Sequence, residues 1–199
     1  MRITQAAKAK TEKNIVQTAE RLFTEVGYKD TTTRQIALEA GIATGTLFNY
    51  FPTKETLAMS LLAGVLKSGR DDYLRRRTGE EDFAEELFLL ITSELRRLRP
   101  FRTFVGPVLE STMSLFPKEN PCPAADNSRA EHLGLVRKII HSHGFSRVPD
   151  HITTTLYWSL YLGILAFWSN DDSRNQEETL ALIDYSIKVF TGTLADTSL

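Results

Sequence analysis

Apolar residues recur at three- and four-residue steps from one end of the chain to the other, and no stretch of two-residue alternation interrupts them. Ile15, Ala19, Leu22, Phe23 and Val26 make the first stripe, which Gly27 stops. Thr11 stands where a cap for that helix belongs, with Glu12 in its first turn, so Arg2, Lys8 and Lys10 ahead of it read as a flexible arm. Thr32-x-x-Gln35 then reads as a capping box for a short helix carrying Ile36, Ala37 and Ala40, and Gly41 ends it. Ile42 plugs the turn, and Ala43 or Thr44 opens a second short helix with Leu47 and Phe51 on one face. Pro52-Thr53 breaks and restarts the chain into a long fourth helix through Leu57, Leu61, Leu62, Val65, Leu66 and Tyr73, with a stop at Thr78-Gly79.

The helical pattern continues over residues 83–98 and 101–116, with Pro107 expected to kink the second of these. Residues 117–127, with Pro117, Pro121 and Pro123, read as a loop, and helices follow over 128–143, 149–169 and 176–194. The fold class is therefore all-α, with about nine helices. An N-terminal three-helix unit is expected at residues 1–54 and a helical body at 55–199. Leu180, Ile183, Ile187, Phe190 and Leu194 form a narrow seam, while the helix before it is apolar nearly all round. One side of that pair needs a cover. A second copy supplies it as a four-helix bundle, with Trp158, Leu165, Trp168, Ile183, Ile187, Phe190 and Leu194 at the expected dimer interface. Ser159 and Gly163 suit a close helix approach.

Two short helices around a glycine-containing turn, polar on the outside, form the layout of a DNA-binding helix-turn-helix. Thr44, Thr46, Asn49 and Tyr50 offer hydroxyls and an amide to phosphates or base edges, and Gly45 lets a backbone approach closely. Lys54 in the first turn of the fourth helix is unfavourable against the dipole unless an anion such as phosphate is near. Charge sharpens this picture. The whole chain carries a net charge of −1, but residues 1–54 hold eight Lys/Arg against five Asp/Glu, and residues 145–199 hold three against seven. A polyanion contact is therefore expected at the N-terminal part only.

Residues 11–57 resemble the DNA-binding domain of the TetR (tetracycline-repressor-like) family of bacterial transcriptional regulators. The matching positions are Ala19, Leu22-Phe23, Gly27-Tyr28, Thr31-Thr32, Ile36-Ala37, Ala40-Gly41-Ile42, Gly45-Thr46-Leu47-Phe48, Tyr50-Phe51, Lys54 and Leu57. Two positions depart from the pattern: Ala43 stands where Ser usually caps the recognition helix, and Phe48 where Tyr commonly contacts phosphate. The resemblance implies a ligand-responsive homodimeric repressor on a near-palindromic double-stranded DNA operator. Thr33, Arg34, Thr44, Tyr50 and Lys54 are then the phosphate or groove-edge contacts, with Thr46 and Asn49 at base edges. Residues 55–199 become a ligand-binding and dimerisation domain. There a small molecule bound among the middle helices tilts the fourth helix and releases DNA.

On that basis Phe88, Thr92, Phe101, Phe104, Val108, Met113, Phe116, Tyr157 and Tyr161, with Phe83, are the candidate pocket, suited to a small apolar or amphipathic effector. No catalytic constellation, cofactor or metal site is expected: His141 and His143 do not share a helix face. The single cysteine, Cys122, fits a reducing compartment. No apolar leader precedes the first helix, and the apolar run 156–168 is too short to span a bilayer, so a cytoplasmic protein is expected. Two other readings stand beside the repressor. One is a helical small-molecule-binding or interaction protein whose helix-turn-helix is degenerate, favoured by Ala43 and Phe48. The other is an α-helical enzyme, for which the sequence supplies few converging titratable groups.

Overall fold

The computed structural model describes residues 4–113, 122–145 and 147–195. Among these are nine α-helices, two 3-10 turns and no strand. The first helix, α1 (Gln5–Glu25), starts about three turns ahead of its apolar stripe. Thr4 is its cap, its hydroxyl accepting from the Ala7 amide at 3.2 Å, whereas Thr11 turns its own hydroxyl onto Ala7 O at 3.0 Å. Lys8 and Lys10 are thus helical and not part of an arm. The first turns of α1 bury little, so hydrophobic periodicity carries no signal for them.

Helices α2 (Thr33–Glu39) and α3 (Thr44–Tyr50) follow, then α4 (Lys54–Arg76). The next helix, α5 (Phe83–Leu98), opens on a complete capping box: the Asp82 carboxylate accepts from Glu85 N and Glu85 accepts from Asp82 N, both at 2.9 Å. A 3-10 turn (Arg99–Phe101) leads into α6 (Arg102–Thr112), which contains Pro107. Helix α7 (Pro123–Ser142) begins five residues earlier than expected, so 123–127 is helix where a loop was expected. Proline is tolerated at a first helical position because its missing N–H has no intrahelical partner there anyway. Helices α8 (Asp150–Asn170) and α9 (Glu177–Ala195) flank a second 3-10 turn (Arg174–Gln176). Between them Asp171 accepts from Ser173 N at 2.8 Å and Thr179 N at 3.0 Å, and these bonds with the Thr179 hydroxyl hold its carboxyl well below the ordinary range.

The chain separates into two compact units: Met1–Gly64 with Thr103–Ala125, and Val65–Arg102 with Asp126–Leu199. The divisions between them fall inside α4, α6 and α7. The first unit is built around Ile15, Ala19, Leu22, Ile36, Ala37, Leu47, Leu57 and Ala58, with Phe23, Tyr28 and Phe104 in mutual ring contact at 5.0–5.4 Å. In the second, α9 packs on α5 and α8 around Leu87, Leu90, Trp158, Leu165, Ile183 and Phe190.

Candidate nucleic-acid interface and effector core

Helices α2 and α3 are too short to be stable alone, and the sequence supplies their supports. Thr32 caps α2, accepting from Gln35 N at 3.1 Å. The reciprocal half of the expected box is not made, because the Gln35 amide turns to Glu39 at 3.4 Å. Gly41, at φ +69°, closes α2 with bonds from Gly41 N to Leu38 O (3.1 Å) and from Ile42 N to Ala37 O (3.0 Å). Asn14 of α1 donates to Ala40 O at 2.9 Å and so holds the turn against α1. Leu47 is fully buried and anchors α3.

With α3 pinned from behind, Gly45 and Asn49 are exposed and Thr44, Thr46 and Tyr50 are half-buried on its outer side. An added Cβ at Gly45 meets nothing within 4 Å, which leaves the backbone open to close approach. Ala43 takes the extended cap conformation but has no side-chain bond to give. Phe48 is 44% exposed, an apolar surface beside these polar groups. On α2, Arg34 is exposed and Thr33 half-buried.

Lys54 has partners within its own chain. Its ammonium donates to Tyr28 O (2.8 Å) and Thr31 O (3.1 Å) and lies 4.4 Å from the Tyr28 ring centre. Two of its three donors therefore bind α4 to the turn between α1 and α2. Thr31, buried and unremarked in the sequence beyond its family pattern, completes that turn by donating to Gly27 O at 2.7 Å.

In the second unit the interior is polar to a degree no sequence pattern announced. Glu94 is completely buried and accepts from Tyr161 OH (2.6 Å), Arg70 Nη1 (3.1 Å) and His132 Nδ1 (3.1 Å). His132 Nε2 meets Tyr157 OH at 3.1 Å, and Arg70 also reaches Glu131 at 2.6 Å. Burial alone would raise the Glu94 carboxyl, but His132, Arg70 and Tyr161 outweigh it and hold it below 4.5. The same burial, with the charge of Glu94, pushes both tyrosines well above 10. A second hub lies two turns away on α5, where Glu86 accepts from Tyr73 OH (2.5 Å), His143 Nε2 (2.8 Å) and Arg77 (3.3 Å). Arg70 and Tyr73 share one face of α4 at i and i+3, and Arg77 directly follows its last residue. Gly69 allows the approach: a Cβ there would sit 2.6 Å from the Glu94 Cα.

The residues expected to line a pocket fall in both units. Phe104, Val108 and Met113 belong to the first unit, and Phe88, Thr92, Phe101, Tyr157 and Tyr161 to the second; Phe116 lies outside the described residues. Within the second unit Phe88 and Thr92 line an open surface groove with Arg96 and Leu180, whereas Tyr157 and Tyr161 border a narrow interior gap with Leu87, Ile91 and Phe190. The residues expected at a dimer seam, Trp158, Leu165, Trp168, Ile183, Ile187, Phe190 and Leu194, are all buried within a single chain. The apolar positions left exposed are Ile152, Leu156 and Phe167 on α8 and Leu180, Tyr185 and Val189 on α9, with exposed Ser159, Gly163 and Ala166 between those of α8. His141 pairs with Asp150 (2.9 Å) and His143 with Glu86, and no group of three metal-ligating side chains gathers among the described residues. No described helix is long and apolar enough to cross a membrane.

Comparison with known proteins agrees with this architecture. Residues 15–61 match the family described as bacterial regulatory proteins, tetR family, and residues 87–199 match the tetracyclin repressor-like C-terminal domain. The chain is 45% identical over 51 residues to the HTH-type transcriptional regulator YuxN of Bacillus subtilis, covering 26% of this chain and 18% of that one. It is 37% identical over 65 residues to the HTH-type transcriptional regulator HbdR of Aromatoleum sp., covering 33% and 28%. These matches span less than a third of either relative.

Over nearly the whole chain the fold is that of a TetR regulator from Rhodococcus sp. (TM-score 0.69, 16% identity, 92% and 97% covered). It is also that of FadR from Thermus thermophilus, a TetR-family repressor solved with lauroyl-CoA (0.66, 19%, 94% and 95%). FadR from B. subtilis, solved with stearoyl-CoA, is similar as well (0.61, 18%, 89% and 96%). With an N-terminal and a C-terminal family domain matched in the expected order, on a helix-turn-helix whose outer face is open, the chain belongs to the TetR family of bacterial transcriptional regulators.

Proposed function

We propose that this regulator is a homodimeric repressor that binds a near-palindromic operator and leaves it when a small apolar or amphipathic effector binds. The observation that carries the reading is α3, pinned by Leu47 from behind and presenting Gly45, Thr46, Asn49 and Tyr50 outward, with Arg34 and Thr33 beside it on α2. Major-groove reading by such a helix places symmetric half-sites about 34–36 Å apart. The small-residue stretch Ser159, Gly163 and Ala166, flanked by Leu156 and Phe167, supports dimerisation through α8, with Tyr185 and Val189 of α9. Effector action runs through α4, which begins in the first unit and ends in the second, its second half held by the Glu94 and Glu86 hubs. Such coupling is reciprocal, so bound DNA weakens effector binding by the same factor.

The test is fluorescence anisotropy of the purified protein on duplexes from the region flanking its own gene, titrated with salt and then with lauroyl- and stearoyl-CoA. Saturable, sequence-selective binding that weakens steeply with salt is the expected result, and loss of anisotropy on adding either acyl-CoA would assign the effector class. Equal, weak binding to scrambled duplexes would sink the repressor reading in favour of an interaction protein with a degenerate helix-turn-helix.

A further inference from the structure

We infer that the groove along the outer side of α1, between Lys10 and Gln17, is a second DNA-contact surface that seats the sugar-phosphate backbone next to the recognition helix. The inference rests on the DNA-binding reading above and adds a contact outside the helix-turn-helix. Lys10, Lys13, Asn14 and Gln17 fall at i, i+3, i+4 and i+7 and so share one face of α1. With Thr11, Ala40 and Ile42 they line an open groove of about 610 Å³.

No acidic side chain lines this groove. At about 100° per residue, Glu12 points to the opposite side of α1, and Glu39 at the end of α2 is engaged by Arg21. Neither Lys10 nor Lys13 takes part in an ion pair among the described residues, so two ammonium groups face the groove without a counter-charge. A polyanion supplies that counter-charge, and a row of phosphates matches two cations one helical turn apart.

Position selects duplex DNA as the occupant. The floor of the groove is Ala40–Ile42, the turn that runs directly into Ala43 and the start of α3, so a backbone lying there is continuous with the strand that α3 reads. The groove is also rigid. Asn14 is bonded to Ala40 O, and Ile15 and Ala19 on the same helix are fully buried. Because α1 is helical from Gln5, the two lysines are already placed and no arm has to be ordered on binding.

Contacts to phosphate carry no sequence information, and each one neutralised contributes about 0.9 to the slope of log affinity against log salt. A Lys10→Gln/Lys13→Gln double variant is therefore expected to lower that slope by about 1–2. Its affinity should fall by the same factor on operator-region and scrambled duplexes of equal length, while Lys10→Arg/Lys13→Arg retains the wild-type slope. Lys138→Gln, on α7 of the other unit, serves as a surface-charge control and leaves the slope unchanged. Circular dichroism melts confirm that each variant is folded. If the wild type binds DNA and the double Gln variant keeps its slope, the groove assignment is wrong and the DNA-binding reading stands. If the wild type binds neither duplex, both are wrong.

Discussion

Glu94 shows how much one side chain organises. Its carboxylate is the acceptor for Arg70 of α4, His132 of α7 and Tyr161 of α8, so removing it takes the acceptor from the buried His132 Nδ1 and Tyr161 hydroxyl and leaves Arg70 to Glu131 and Ser128. Glu94→Ala is expected to cost about 3–5 kcal/mol at pH 7, the usual size for breaking a buried pair from one side, measured by urea unfolding. Acid narrows the gap. The folded carboxyl lies below the ordinary 4.5, so its contribution is complete above that value and disappears as pH falls through the folded pKa. The gap between wild type and variant should thus narrow as pH falls from the ordinary carboxylate range through the folded pKa; a gap that widened in acid would contradict the hub. None of this was legible beforehand. A lone Glu in an apolar helix reads as an orienting or interface charge, and only the meeting of four helices reveals its donors.

At the scale of elements, the close packing of α4 on α5 depends on Gly69. Alanine favours a helix interior by about 1 kcal/mol over glycine, yet here the new Cβ would press against the Glu94 backbone at 2.6 Å. Overpacking of this kind costs typically 1–3 kcal/mol, so Gly69→Ala is expected to lower the melting temperature, whereas Gly64→Ala on the same helix, where nothing lies within 4 Å, should raise it. Differential scanning calorimetry of the two variants decides it. The helices themselves were readable from periodicity and stop signals, and the turn at Gly41 followed from its sequence. The first two turns of α1 and the start of α7 were not, because exposed polar turns leave no apolar stripe and prolines such as Pro123 read as breaks.

For the whole molecule, the exposed and buried faces of α8 predict opposite behaviour. Phe167→Glu, on the exposed stripe, is expected to convert a dimer to monomer in sedimentation velocity and to weaken operator binding, with little change in the far-UV spectrum. Trp168→Ala, one residue on and 1% exposed, should instead lose about 3–5 kcal/mol of stability through its cavity. A Phe167→Glu protein that stays dimeric would move the interface elsewhere. The sequence placed the dimer seam on the buried residues because α8 is apolar on every side, and such a helix does not mark which side its own chain covers.

The all-α class, the helix-turn-helix and the family were legible in local information: periodic apolar positions, capping residues, and fixed spacing over residues 11–57, most of which lie in the stretch 15–61 that matches the family. Each depends on neighbours a few residues apart, which a linear chain displays. What Lys54 binds, which face of α8 remains open and which donors Glu94 gathers were decided by tertiary structure. Those outcomes depend on residues 23 to 67 positions apart being brought within a hydrogen bond of one another, and that distance is created only by packing.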